Sequence, residues 1–140
     1  MSKKLSQKRS KAFDAARKQH SIEAAEDYTE LIADLIAEYG EARIGVIAEH
    51  LGISHVTALR TVKRLQAEGY LITSPHKPVV LTPKGKRTAS FAKSRHELLV
   101  EFFVKVGVPK QLAEIDVEGV EHHISKETLI YIQKFLKSST

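Results

Sequence analysis

The sequence predicts a mostly α-helical protein with six helices and one β-hairpin, divided into two halves. Three observations lead there. Apolar residues recur at helical spacing along most of the chain, and glycines and capping residues punctuate those segments. Two short β-branched runs, YLIT and VVLT, flank the turn-forming SPHKP and read as a hairpin. With 42% apolar and 6% aromatic residues, the 140-residue chain has an ordinary globular composition.

Residues 1–20 are polar, basic and aperiodic, and are expected to form a basic flexible arm. The first helix is expected from residue 24, with Tyr28, Leu31, Ile32, Leu35, Ile36 and Tyr39 on its apolar stripe and Gly40 ending it. A short second helix turns Ile44, Ile47, Ala48 and Leu51 inward. Gly52-Ile53 makes a tight turn, and Ser54 caps a third helix that buries Ala58, Val62 and Leu65. Gly69 closes it, and the hairpin follows. Thr82-Pro83 opens a long fourth helix to about Val106, with Phe91, Leu98, Leu99, Phe102 and Val106 as its expected buried positions. A fifth helix starts at Val108-Pro109 and a sixth at Ser125, burying Leu129, Ile132 and Leu136. The expected division is an arm over 1–20, a first domain over 21–89 and a helical domain over 90–140.

Several classes drop out. No run of 18 apolar residues is present to span a membrane, and the N-terminus lacks the apolar stretch of a secretory signal. The absence of cysteine excludes disulfides, thiolate zinc sites and cysteine nucleophiles, and fits a cytoplasmic protein.

Helix, glycine turn, basic helix and hairpin in that order read as a winged helix-turn-helix, a DNA-binding element. One face of the third helix packs on the second. Its other face offers His55, Thr57 and Arg60 to base edges, with Lys63 and Arg64 better placed for the backbone; Ser54, the cap, is counted with the DNA-binding residues. The hairpin tip brings His76 and Lys77 to the adjacent backbone or minor groove. Charge supports this: residues 43–95 hold ten Lys/Arg against two acids, and residues 21–42 hold seven acids and no base.

The stretch DVEGVEHHIS, residues 116–125, gathers a different chemistry. On a helix, Glu118, Glu121 and His122 share one face through i, i+3 and i, i+4 spacing, while His123 points about a hundred degrees away. Taken alone, such a face is usually just solvated. Asp27 and Glu30 form a second i, i+3 pair beside the first apolar stripe, and His96 lies beside Leu98 and Leu99. Four carboxylates and two imidazoles without sulfur suit manganese(II) or iron(II), and six ligands could hold two ions through bridging carboxylates.

The segments AEDYTELI (25–32), IAEHLGIS (47–54), LTPKGK (81–86), RHELL (95–99) and DVEGVEHHIS resemble the diphtheria toxin repressor family of metal-dependent winged-helix regulators, above all its manganese-responsive branch. The resemblance covers roughly residues 24–137. It implies a binuclear metal site at Asp27, Glu30, His96, Glu118, Glu121 and His122. The iron-responsive branch carries methionine where Asp27 stands and cysteine where Glu118 stands, so oxygen ligands at both positions favour manganese(II), with iron(II) as the alternative ion. The resemblance further implies a homodimer on a palindromic operator in double-stranded DNA and repression of metal-uptake genes, with metal fixing the relation of the two halves. Because the chain ends at Thr140, no SH3-like third domain is expected. Two other readings stay open. A winged-helix regulator could respond to a signal other than metal. A carboxylate-bridged di-metal enzyme would need a Glu-x-x-His motif on each of two helices, and the chain does not present such a pair. The expectation is therefore of a regulator and not an enzyme.

Overall fold

The computed structural model describes residues 3–138. The chain forms two compact units, one ending at Ala89 and the other beginning at Ser90. The first contains α1 (Lys3–Tyr39), α2 (Ile44–Leu51), α3 (His55–Ala67), and the strands β1 (Leu71–Ile72) and β2 (Val80–Leu81). Helix α4 (Pro83–Lys105) starts in the first unit and continues into the second, which also holds α5 (Lys110–Val120), a 3-10 turn at Glu121–His123, and α6 (Lys126–Ser138).

In the first unit Tyr28, Ile32 and Leu35 of α1 meet Ile47 of α2, Val62 and Leu65 of α3, and Leu71 of β1 in one buried cluster. The spacing of these residues within each helix is the one the sequence pattern shows. Tyr39 departs from it: at the last position of α1 it is 63% exposed. The strands pair antiparallel, Leu71 opposite Leu81 and Ile72 opposite Val80, and Val79 adds a bridge to Ala42. Gly85 fixes how α4 leaves this hairpin, because a Cβ there would lie 2.0 Å from the Tyr70 carbonyl oxygen. Thr82 caps the same turn. Its hydroxyl donates to the Gly69 carbonyl at 2.6 Å and accepts the Gly85 N–H at 3.2 Å.

Residues 3–20 are helical rather than a flexible arm, and residues 1 and 2 of that arm lie outside the described residues. The segment has no glycine or proline and is rich in Ala, Lys, Arg and Gln, all strong helix formers. It has no apolar stripe, so hydrophobic periodicity carries no sign of it. The packed part of α1 supplies a nucleus, and extending a helix is easier than starting one. Ion pairs Asp14–Arg17 and His20–Glu23 span single turns along it.

In the second unit Leu99 and Val100 of α4, Ala113 and Val117 of α5, and Leu129 of α6 form a separate cluster. Phe91 and Val106, expected inside, are 37% and 56% exposed. The inward stripe of α4 runs instead through Ala89, Ala92, Leu99 and Val100. Ser125 caps α6, its hydroxyl accepting the Thr128 N–H at 3.1 Å.

Candidate metal centre and nucleic-acid interface

The acidic constellation does not lie on one helix. Helix α5 ends at Val120, and Glu121, His122 and His123 form a 3-10 turn before Ile124 becomes extended. Gly119 weakens the last helical turn, and the Ser125 cap requires the chain to re-enter α6 from an extended residue. Glu121, the residue that closes α5, keeps helical angles of φ −58° and ψ −30°, so it follows Glu118 at the helical i, i+3 spacing.

His96 is the hub. Its neighbours Leu99 and Val100 are anchored in the core, which holds the α4 face carrying the imidazole against α5. Nδ1 lies 2.8 Å from Glu121 Oε2 and 3.9 Å from Glu118 Oε1. Nε2 lies 3.3 Å from Glu114 Oε2. Glu121 is 2% exposed, and its second oxygen is 3.7 Å from His122 Nε2. On the far side of that ring, Arg95 donates from Nη2 to His122 Nδ1 at 3.4 Å.

The electrostatics follow from this crowding. Burial alone would lower the His96 pKa, but hydrogen bonds to Glu121 and Glu114 and the charges of Glu121 and Glu118 outweigh it, so it is raised above 6.5. Burial pushes the Glu121 carboxyl above 4.5, against the opposing pull of His96. Both shifts run in the direction that retains a proton on this pair of groups. Ligand atoms of His96, Glu118 and Glu121 lie within 4.8 Å of one another. That separation suits ligands converging on one divalent ion at about 2.0–2.3 Å each, and the donor set fits a hard or borderline cation.

Of the expected ligands, the structure therefore brings His96, Glu118, Glu121 and His122 into one cluster within the second unit. Asp27 and Glu30 stand on α1 in the first unit, Asp27 exposed and Glu30 half-buried. Glu114 is an addition. It precedes Glu118 by one helical turn, a spacing visible in the sequence once the stretch is extended four residues back.

The first unit carries the helix-turn-helix. Gly52 ends α2 in the left-handed conformation at φ 66°, which makes the turn short. Ser54 then caps α3, accepting the Thr57 N–H at 3.1 Å and donating to the Thr57 hydroxyl at 2.9 Å. Both hydroxyls are thus engaged with each other, while His55, Arg60, Lys63 and Arg64 are exposed on the same helix. Arg64 lies 3.7 Å from Glu68. In the hairpin loop His76 adopts φ 63°, and its carbonyl accepts from Arg43 Nη1 at 3.2 Å. A groove of about 750 Å³ separates α3 from this wing, lined by Arg43, His55, Lys63, Gln66, His76 and Lys77 among others. Arg43 was not expected there. It precedes α2, far in sequence from the wing whose backbone it holds, and nothing local in the sequence signals it.

Comparison with known proteins places this geometry. Residues 20–79 match the model of the iron dependent repressor N-terminal DNA binding domain, and residues 82–140 that of the iron dependent repressor metal binding and dimerisation domain. Among curated proteins, the transcriptional regulator MntR of Salmonella typhimurium is 42% identical over 117 residues, covering 84% of this chain and 74% of that protein. The HTH-type transcriptional regulator MntR of Bacillus pumilus is 42% identical over 100 residues, covering 71% and 69%. A solved manganese-dependent transcriptional repressor in complex with manganese superposes with a TM-score of 0.69 at 28% identity, over 80% of this chain and 52% of that one. The chain thus spans about half the length of that structure. Among the described residues no helix is long and apolar enough to cross a membrane. With both family domains in order and relatives at this identity, the chain belongs to the iron-dependent, or diphtheria toxin, repressor family of metal-binding, DNA-binding transcriptional regulators, and is not an enzyme.

Proposed function

We propose that the protein is a manganese(II)-dependent cytoplasmic repressor of genes for metal-ion uptake and homeostasis, which binds palindromic operators as a homodimer. The observation that carries this reading is the cluster of His96, Glu118 and Glu121 around a buried carboxylate, in a donor set without sulfur. Asp27 and Glu30 complete the ligand set with His122, and the six together hold two ions per chain, with iron(II) the competing ion. When bound, the metal supplies positive charge that relieves the mutual repulsion of these carboxylates. To hold the metal, His96 Nδ1 and the Glu121 carboxyl would have to be unprotonated, with the Glu118 carboxylate beside them as a further ligand. Because the ligands belong to both units, ligation favours one arrangement of the DNA-reading unit, and operator affinity rises by population shift.

The DNA-reading residues are Ser54, His55, Thr57, Arg60, Lys63, Arg64, His76 and Lys77, joined by Arg43. Arg60 and His55 read base edges, and the others set register on phosphates, with Ser54 and Thr57 acting through the α3 N-terminus. For dimerisation, Ile115, Tyr131 and Phe135 are large apolar side chains left exposed in the second unit.

Calorimetric titration of manganese(II) into chelator-stripped protein tests the reading, repeated with Glu121→Ala. About two ions per wild-type chain are expected, with uptake lost or halved in the variant. Operator affinity should rise with manganese(II) in the wild type only. Wild-type operator affinity that ignores chelator would overturn the proposal in favour of a regulator with another signal.

A further inference from the structure

Helix α5 and the 3-10 turn that follows it hold both edges of the His96 ring. From one turn Glu118 and the neighbouring Glu121 face Nδ1 at 3.9 and 2.8 Å; from the preceding turn Glu114 faces Nε2 at 3.3 Å. An imidazole that ligates one cation uses one nitrogen, and the other then carries the proton. Which nitrogen is left for the metal depends on which edge finds a hydrogen-bond acceptor. Glu118, Glu121 and, past Glu121, His122 lie on the Nδ1 side, so the remaining ligands converge there. On the Nε2 side the described contact is Glu114 alone, on a side chain that is 48% exposed while His96 is 18% exposed.

We propose that Glu114 is a positioning residue of the metal centre: it accepts the Nε2–H of His96 and thereby commits Nδ1 to the metal. This rests on the metal-centre reading above and adds a residue that the six-ligand set lacks. A carboxylate behind a ligating histidine does two things. It fixes the tautomer and the ring plane, and it makes the ligating nitrogen more basic. Helical spacing makes the arrangement economical, since residues 114 and 118 rise from one face of α5 and cannot move independently. The ring plane is therefore set before any ion arrives, and once Nδ1 gives up its own proton Glu114 still holds the Nε2–H.

The test uses full-length protein with three chains: wild type, Glu114→Ala and Glu114→Gln. Manganese(II) affinity is read by competition with a fluorescent chelator. Glu114→Ala should weaken binding by roughly 10- to 100-fold, the usual consequence of losing such a partner. Glu114→Gln, whose amide oxygen still accepts the Nε2–H, should recover most of that loss. Equal losses in the two variants would mean that only the charge of Glu114 matters, and would overturn a positioning role.

A second readout is independent of affinity. Nitrogen NMR of histidine-labelled protein loaded with cadmium(II) distinguishes a metal-coupled ring nitrogen from a protonated one. Coupling to Nδ1 of His96, with Nε2 still protonated, is the expected result. Coupling to Nε2 would make Glu114 a neighbour of the ion and refute the assignment. A wild type that takes up no manganese(II) or cadmium(II) would sink the metal-centre reading itself, whereas normal wild-type uptake with an indifferent Glu114→Ala would sink this inference alone.

Discussion

The two units carry charge in opposite ways. In the first, His55, Arg60 and Lys63 project from α3 into solvent, on a frame built round an apolar cluster, with Glu26 and Thr29 buried beside it on α1. In the second, Glu121 is buried and each polar neighbour touches it or His96. Exposed charges keep their hydration and act nearly independently, so each can be exchanged at modest cost. Buried charges share protons and partners, so no one of them can be altered alone. A surface built to meet phosphates is therefore expected to fail gradually under substitution, and a centre built to take a cation to fail abruptly.

Substitutions can break or sharpen that contrast. The largest effect is expected for Glu121→Ala combined with His96→Ala. Each single variant should already abolish the manganese-dependent gain in operator affinity, and the double variant should be no worse. Additive losses in a double-mutant cycle of metal affinity would show the two groups to be independent and erase the distinction. Next comes the frame of the first unit. Gly85→Ala drives a methyl into the Tyr70 carbonyl and should lower unfolding stability by about 3 kcal/mol in urea melts, the upper range for overpacking. A loss under about 0.5 kcal/mol would mean that the start of α4 yields readily.

Arg60→Ala should then cost about 1–3 kcal/mol of operator binding and relax preference at particular base positions. Lys63→Ala should weaken all sequences alike and reduce the salt slope of binding by about one, read from affinities across a salt series. The two together should add. A strongly non-additive pair would bring the DNA surface into line with the metal centre.

The smallest expected effect is on pH dependence, and its sign separates the metal-free and loaded states. The folded protein holds protons on His96 above 6.5 and on Glu121 above 4.5 more tightly than the unfolded chain does. Their contribution to stability is complete at low pH and is lost as pH rises through those raised values. Thermal melts of chelator-stripped protein should thus show the contribution of these two groups falling away as pH rises through the histidine range. With saturating manganese(II) the slope should reverse over the same range, because ligation requires the unprotonated forms. Parallel slopes with and without metal would uncouple the proton from the site.

The DNA-reading unit was the more legible half, because local rules govern it. Gly52 at positive φ, Ser54 as a cap and the Ala58, Val62, Leu65 stripe are each readable within a few residues. The metal unit depends on tertiary facts. The residue types of His96, Glu118, Glu121 and His122 could be picked out, but a regular helical face was the wrong geometry for them, since Glu121 and His122 lie in a 3-10 turn. Glu114 went unnoticed because its partner is eighteen residues away on another helix. Phe91 and Val106 misled through their apolarity, although small alanines fill the close approach of α4. The helical course of residues 3–20 was hidden for the opposite reason: a helix with nothing to bury leaves no period to read.

That last segment has a consequence of its own. Helix α1 is 37 residues long, or about 55 Å, and its buried residues all fall between Ala25 and Leu35. It is held by one end. Its first turn contains Lys3 and Lys4 and no acid, so the positive pole of the helix meets cations instead of anions. Seven Lys/Arg within residues 3–18 repel one another along the same rod. Added salt or a polyanion is expected to relieve both penalties, which makes the order of the far end of α1 a testable function of ionic strength. Amide protection should fade steadily from Ala25 toward Lys3 at low salt and advance toward the terminus as counterions are supplied. The far end of this helix is therefore expected to be the part of the first unit most sensitive to ionic surroundings, fraying in dilute buffer and ordering where negative charge is dense.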